Sequence, residues 1–240
     1  MKIEIWSDYA CPFCYIGKRR LEEALKKFDH RDQVEVEYKA FELEPDAPRD
    51  TDKSMYEQLA GKYGMSVEEA KKMNDGVRQQ AAEAGLTFNF DTMIPTNTFD
   101  AHRLAHFAKT KNKAKDVHEK LLHAYFTESR HLGDHETLAD IAAEAGLDRD
   151  EVLAVLADEN AFADEVRNDE QASQLMGVRG VPFFVLNRKY GVSGAQPTET
   201  FLAALQKVWE EEQAEPKLQD LGTDNGAACA DGSCDIPEKE

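Results

Sequence analysis

Two cysteine pairs carry the chemistry available to this sequence. One is Cys11-Pro12-Phe13-Cys14 and the other is Cys229-Ala230-Asp231-Gly232-Ser233-Cys234. Thiol–disulfide exchange needs a thiolate, and a free cysteine has a pKa of about 8.5. Cys11 falls just before a predicted helix, where Pro12 fits the first turn because a missing N–H costs nothing there. Unpaired backbone N–H groups and the helix dipole favour a negative sulfur at that position. Cys14 lies about one turn further in, on a similar face, and can donate a hydrogen bond to that sulfur or close a ring with it. The pattern assigns Cys11 as the attacking thiol and Cys14 as the resolving one. Two blander readings share it: a pair of buried helical cysteines, and half of a zinc site.

The second pair sits in an acidic stretch where no packing need explains cysteines. Gly232 and its small neighbours would let a short disulfide loop close. The expectation is that Cys229 and Cys234 act as a redox relay to Cys11 and Cys14 through a transient mixed disulfide. The competing reading is zinc, held by all four cysteines or by the tail pair with histidines. His102 and His106, and His131 and His135, are spaced four apart, but no His-Glu-x-x-His occurs. No metal site is expected.

A βαβ unit must position the first pair. Lys2 to Ser7 alternates like a strand, Tyr15 to Phe28 has helical periodicity, and Gln33 to Ala40 alternates again. Parallel strands with a right-handed crossover follow. Glu42 to Asp52 is rich in Pro and Asp and reads as a linker. Helical periodicity then runs for more than a hundred residues: Met55 to Tyr63, a segment opened by the capping box Ser66-Val67-Glu68-Glu69, and further segments from Phe99 to Met176. Gly146 and Gly177 stand where helices stop. Strand character returns at Val181 to Leu186, with a turn at Asn187-Arg188-Lys189, a return strand at Tyr190 to Ser193, and a last helix opened by Pro197. Val181-Pro182 is ambiguous: a proline in a strand run fits either a cis bond or a strand edge. A turn there could offer peptide hydrogen bonds to a substrate beside Cys11.

The order β-α-β, helices, β-β-α predicts an α/β domain built from residues 1–52 and 178–213. Residues 53–177 form a helical insertion, and 214–240 form a flexible acidic tail. The chain of 240 residues carries a formal net charge of −18, which argues against nucleic acid and anionic membrane as partners. Residues 210–240 hold ten acidic and two basic side chains, a net of −8. The start lacks a signal-peptide h-region, and no run approaches the roughly 18 apolar residues of a membrane span. A cytoplasmic protein is expected, where paired cysteines are more often catalytic or metal-binding than structural.

With these residues in place, the chain resembles a known family. Asp8-Tyr9-Ala10-Cys11-Pro12-Phe13-Cys14-Tyr15-Ile16-Gly17, Asn97 to Arg103, Gly180-Val181-Pro182-Phe183-Phe184 and Ser193-Gly194-Ala195-Gln196 are together similar to the DsbA-like thioredoxin superfamily. More closely they resemble its FrnE branch, related to 2-hydroxychromene-2-carboxylate isomerases and kappa-class glutathione transferases. The resemblance covers almost the whole chain. It implies a thioredoxin fold with a helical insertion, a redox-active dithiol at Cys11 and Cys14 needing no bound cofactor, and a cis-Pro182 facing it. Some FrnE-like proteins are similar in carrying a second tail pair. The isomerase and transferase relatives usually carry serine where Cys11 stands and bind glutathione there, so two cysteines favour redox chemistry.

The function expected is disulfide oxidoreductase or isomerase activity on protein thiols or small thiols. Pro12, Phe13 and Val181 are expected to border the substrate, with Asn97 and His102 as cleft residues. The alternatives are a glutathione-dependent isomerase or transferase of a small aromatic substrate, and a non-enzymatic thiol-based metal or stress sensor. The oligomeric state is left open.

Overall fold

A computed structural model describes residues 1–214. Cys229 and Cys234 lie outside the described residues. Strand β1 (Lys2–Ser7) leads into helix α1 (Pro12–Lys26), and a single 3-10 turn at Arg31–Gln33 precedes β2 (Glu35–Ala40). Seven helices follow before the chain returns to the sheet: α2 (Met55–Tyr63), α3 (Val67–Glu83), α4 (Phe99–Thr110), α5 (Ala114–Phe126), α6 (His135–Glu144), α7 (Arg149–Ala157) and α8 (Ala163–Leu175). The chain then forms β3 (Phe183–Leu186), β4 (Tyr190–Ser193) and α9 (Thr198–Ala214).

The two ends of the sequence build one sheet, in the order β2-β1-β3-β4. β1 pairs parallel with β2 and antiparallel with β3, and β3 pairs antiparallel with β4. The α/β architecture with inserted helices expected from the sequence is therefore the one the chain forms. The period-two alternation of β1 explains its two faces. Ile3 and Ile5 pack with Leu21 and Phe28 of the first helical segment and with Phe201 and Leu205 of α9. Trp6 points the other way, to Val178 and Val185, and its indole N–H donates to the Asp169 carbonyl of α8 at 2.8 Å.

Local signals set the helix ends. Ser66 and Glu69 form the expected reciprocal capping box, and Ser54 with Glu57 forms a second one before α2. Gly146 and Gly177 take φ of +87° and +72° just past α6 and α8, which a Cβ would disfavour. Asn187 and Arg188, at φ of +50° and +53°, turn the β3–β4 hairpin. The sequence places the first strand of the hairpin from Val181, but β3 starts at Phe183, opposite Trp6. Pro182 has no N–H to give to the ladder, so pairing begins one residue later.

The inserted helices share a core with the start of α1. Phe88 stacks on Phe126 at 4.6 Å between ring centres, and Tyr15 stacks on Phe88 at 6.0 Å. Tyr9, Tyr15 and Ile16 belong to this core rather than to the one under α9. The segment carrying the cysteines is thus clamped between the sheet and the insertion. Among the described residues, no helix is long and apolar enough to cross a membrane.

Candidate active site

Cys11 occupies the N-cap of α1, with extended backbone at φ −94° and ψ 111° and Pro12 directly after it. Its side chain caps nothing in the helix, so the sulfur is free for other partners. The thiol lies 3.5 Å from the Val181 carbonyl, to which it donates. Val181-Pro182 is a cis peptide bond. The Pro182 carbonyl accepts from the Gly194 N–H at 2.8 Å, which ties this turn to the Ser193-Gly194-Ala195-Gln196 stretch. The Arg20 guanidinium of α1 donates to the Ala195 carbonyl at 2.5 Å, closing the same corner from the helix side.

Cys14 sits one turn further in, buried like Cys11 and not bonded to it. Its sulfur accepts from the Asp8 N–H at 3.4 Å. Burial first, and then neighbouring Cys11, push the Cys14 thiol well above the ordinary cysteine range. At the mouth, Phe13 is exposed, while Pro12 and Val181 are half-buried. The arrangement pairs an outer thiol at a helix N-terminus and a backbone carbonyl edge with an inner thiol that stays protonated. Such a pair can give two electrons to a substrate disulfide by mixed-disulfide exchange.

Gly17 packs the α1 backbone tightly against this corner. A Cβ there would stand 3.1 Å from Phe184 Cζ and 3.2 Å from Pro182 Cγ. Gly17→Val is expected to cost about 1–3 kcal/mol in overpacking and to lower turnover by pushing Pro182 away from Cys11. Urea unfolding and an exchange assay check it. Unchanged stability would mean the Pro182 ring has room to yield.

The loop from Ser7 to Ala10 is held by a group that the sequence reading did not assign. Asp8 is 1 % exposed. It accepts from the Thr98 hydroxyl at 2.8 Å, the Leu43 N–H at 2.7 Å and the Ala10 N–H at 3.3 Å, and His102 Nε2 stands 3.4 Å away. Burial works to raise the Asp8 pKa, but His102, the Leu43 N–H and Thr98 outweigh it and hold the carboxyl below the usual range. The one signal in the sequence is Asp8 standing three residues before Cys11, which a turn residue explains equally well.

His102 therefore lies behind the cysteines, buried against the Tyr9 ring at 4.8 Å. Asn97 spends its amide on backbone, donating to the Pro45 carbonyl at 3.0 Å and accepting from the Phe99 N–H at 2.8 Å. Arg103, from the same segment, is buried and donates to the carbonyls of Ala161 and Val155 at 2.8 Å each. These contacts join the linker, α4 and α7. The remaining histidines considered for metal are engaged singly. His106 faces Asp169 at 3.0 Å, His135 faces Asp100 at 2.8 Å, and His131 meets the Arg49 carbonyl at 2.9 Å. Among the described residues, no three His, Cys, Asp or Glu side chains converge as a metal site.

Comparison with known proteins agrees with this geometry. The family model of the DSBA-like thioredoxin domain matches residues 2–206. A probable DsbA oxidoreductase from Streptomyces coelicolor has a crystal structure similar to this chain at a TM-score of 0.87 and 45% identity, covering 99% of this chain and 100% of that one. The protein YwbO of Bacillus subtilis is 29% identical over 208 residues, which is 85% of this chain and 94% of that protein. A 2-hydroxychromene-2-carboxylate isomerase shares the fold at a TM-score of 0.66 and 15% identity, covering 90% of this chain and 100% of that one.

Proposed function

The chain belongs to the DSBA-like thioredoxin domain family, and on that basis we propose that it is a thiol–disulfide oxidoreductase of protein thiols working through Cys11 and Cys14. The observation that carries the reading is Cys11 at the N-cap of α1, 3.5 Å from the Val181 carbonyl, with a buried Cys14 one turn behind it. In the reducing direction, the Cys11 thiolate attacks a substrate disulfide and releases one substrate sulfur as a thiolate. Cys14 then attacks Cys11, releases the second substrate sulfur and leaves the Cys11–Cys14 disulfide. The two electrons gained by the substrate come from the dithiol, so no bound cofactor is needed. Pro12, Phe13 and Val181 form the apolar rim against which a polypeptide or a small thiol such as glutathione would lie. A redox titration in glutathione buffers tests this. One two-electron transition that joins Cys11 to Cys14 is the expected result, and failure to form that disulfide would overturn the reading.

The second part of the proposal is the relay through Cys229 and Cys234. Reach supports it. α9 ends at Ala214 beside the start of β1, with Glu212 3.6 Å from the Met1 amino group. Cys11 lies beyond the far end of that strand, roughly 20 Å along it for six residues. The fifteen residues from Ala214 to Cys229 can span up to about 50 Å. Replacing Cys229 and Cys234 together by Ser in the full chain is expected to slow turnover of an oxidised substrate several-fold. Unchanged turnover, with an unchanged redox state of Cys11–Cys14, would sink the relay and leave the first part standing.

A further inference from the structure

Between the edge strand β2 and helices α4 and α5 lies a cavity of about 470 Å³. That is the size of a small-molecule site, which takes about 300–1,000 Å³. The chain as a whole carries a net charge of −18, yet five basic side chains line this cavity against three glutamates. The local sign is therefore the reverse of the global one, and it favours an anion.

Four of the five cations already have carboxylate partners. Glu37 alone receives Lys2 at 2.6 Å, Lys39 at 2.9 Å and Lys109, and Glu4 receives Arg188 at 2.8 Å. Lys2 also reaches Glu35 at 3.6 Å, and Lys39 reaches Asp169 at 3.2 Å. The fifth, Lys115, is exposed and makes no ion pair among the described residues. Asp116 beside it pairs with Lys113 at 3.6 Å. Lys115 stands in the first turn of α5, whose N-cap residue, Lys113, gives no side-chain cap. Ala114 and Lys115 both line the cavity, so the uncapped amides of that turn and the helix dipole add to the lysine's charge there.

A buried group one turn further along the same helix points to a ligand. His118 lines the cavity and is 3 % exposed, and its Nε2 has no hydrogen-bond partner among the described residues. Its Nδ1 faces the Tyr9 hydroxyl at 3.1 Å and its ring stacks on Tyr38 at 3.7 Å, so Nε2 is the nitrogen left for the cavity. Burial, with Lys18 and His102 adding to it, pushes the His118 pKa well below its ordinary value, so the ring is neutral and carries one N–H. Tyr9 is kept protonated by burial, and His118 is the one acceptor for its proton among the described residues. With that proton given to Nδ1, the ring N–H sits on Nε2. Buried donors are rarely left without an acceptor.

We propose that this cavity binds a small organic oxyanion, a carboxylate or a phosphate, held at one end by Lys115 and the first turn of α5 and at the other by the Nε2–H of His118. Three residues separate Lys115 from His118, a rise of about 5 Å along the helix, so the ligand carries two acceptor groups about that far apart. The helix N-terminus with its unpaired lysine takes the charged group. The neutral imidazole donor takes the second, which need not be charged. Cys11 and Cys14 do not line the cavity, so the inference stands independently of the oxidoreductase reading.

Glutarate, with two carboxylates, and glycerol 3-phosphate, with a phosphate and two hydroxyls, are the probes. Each is titrated into the full chain by calorimetry at constant ionic strength, because salt screens an exposed lysine. Saturable one-to-one binding of at least one probe is expected, and the tighter one tells whether the site takes carboxylate or phosphate. Lys115→Gln is expected to weaken binding about tenfold, the scale of one charge-assisted contact. His118→Phe keeps an aromatic ring against Tyr38 but removes the donor, and should weaken binding by a similar factor. Lys72→Gln, on an exposed lysine of α3 that does not line the cavity, should leave binding unchanged. Lys115 is exposed, so its variant tests the proposal even if the buried His118→Phe fails to fold. No saturable binding of either probe, binding unmoved by Lys115→Gln, or an equal loss with Lys72→Gln would overturn the proposal.

Discussion

Cys11→Ser is expected to remove disulfide exchange, lowering turnover by on the order of 10³-fold or more, as loss of a nucleophile does. Cys14→Ser should behave differently. It keeps the attacking sulfur and, through its hydroxyl, an acceptor for the Asp8 N–H that now bonds Cys14 at 3.4 Å. The first exchange then proceeds and the second cannot, so the protein should accumulate as a mixed disulfide through Cys11. Mass spectrometry of the chain after mixing with an oxidised substrate distinguishes the two: a substrate adduct on Cys14→Ser and none on Cys11→Ser. The asymmetry has a physical source. Cys11 holds the N-cap and donates its thiol to the Val181 carbonyl, whereas burial and the presence of Cys11 hold Cys14 as a thiol. Adducts on Cys11→Ser but not on Cys14→Ser would reverse the roles.

How much of this was legible depends on which physical rule was at work. Strand β1 and the β3–β4 hairpin could be read because alternation and turn residues act over a few positions. The helices could be read because their apolar stripes and caps are equally local, as at Ser66 and Glu69. The start of β3 slipped by two residues, since a proline in a strand run does not say on which side of it the ladder begins. The segment from Leu86 to Met93 gave no periodic signal, yet Leu86, Phe88, Phe90 and Met93 are all buried there without regular structure. The network behind the cysteines was invisible for a different reason. Asp8 meets Thr98 across 90 positions of sequence, and Tyr9 meets His118 across 109. Periodicity tells which residues face inward but not which polar groups meet there. The cysteine pair stood out because its own spacing carries the chemistry, whereas Asp8 and His102 acquire roles only from their neighbours.

Asp8→Ala is the substitution outside the cysteines expected to cost most, about 3–5 kcal/mol, the range for removing one partner from a buried charged network. The Thr98 hydroxyl and the Leu43 and Ala10 N–H groups would lose their acceptor while remaining buried or half-buried, and each such group costs about 1–3 kcal/mol. These costs overlap, so they do not simply add. Asp8→Asn keeps the shape and one accepting oxygen and should cost less than Asp8→Ala. The pH dependence follows from the direction of the shift. The folded carboxyl titrates below its unfolded value of about 3.9, so its stabilisation is present above that pH and is lost as pH falls through the folded pKa. The stability gap between the native protein and Asp8→Asn should therefore be full at pH 7 and shrink in acid. Urea unfolding at the two pH values measures both quantities. A gap for Asp8→Ala under about 1 kcal/mol, the worth of one ordinary hydrogen bond, would mean that the loop stands without its carboxylate. The consequence reaches the chemistry, because Asp8 fixes both sides of the cysteine pair. Its side chain pins Leu43 and Ala10, and its carbonyl takes the Cys11 N–H at 3.2 Å while its N–H reaches Cys14. Loss of the carboxylate should loosen the turn that presents Cys11 and slow the first exchange even in molecules that remain folded.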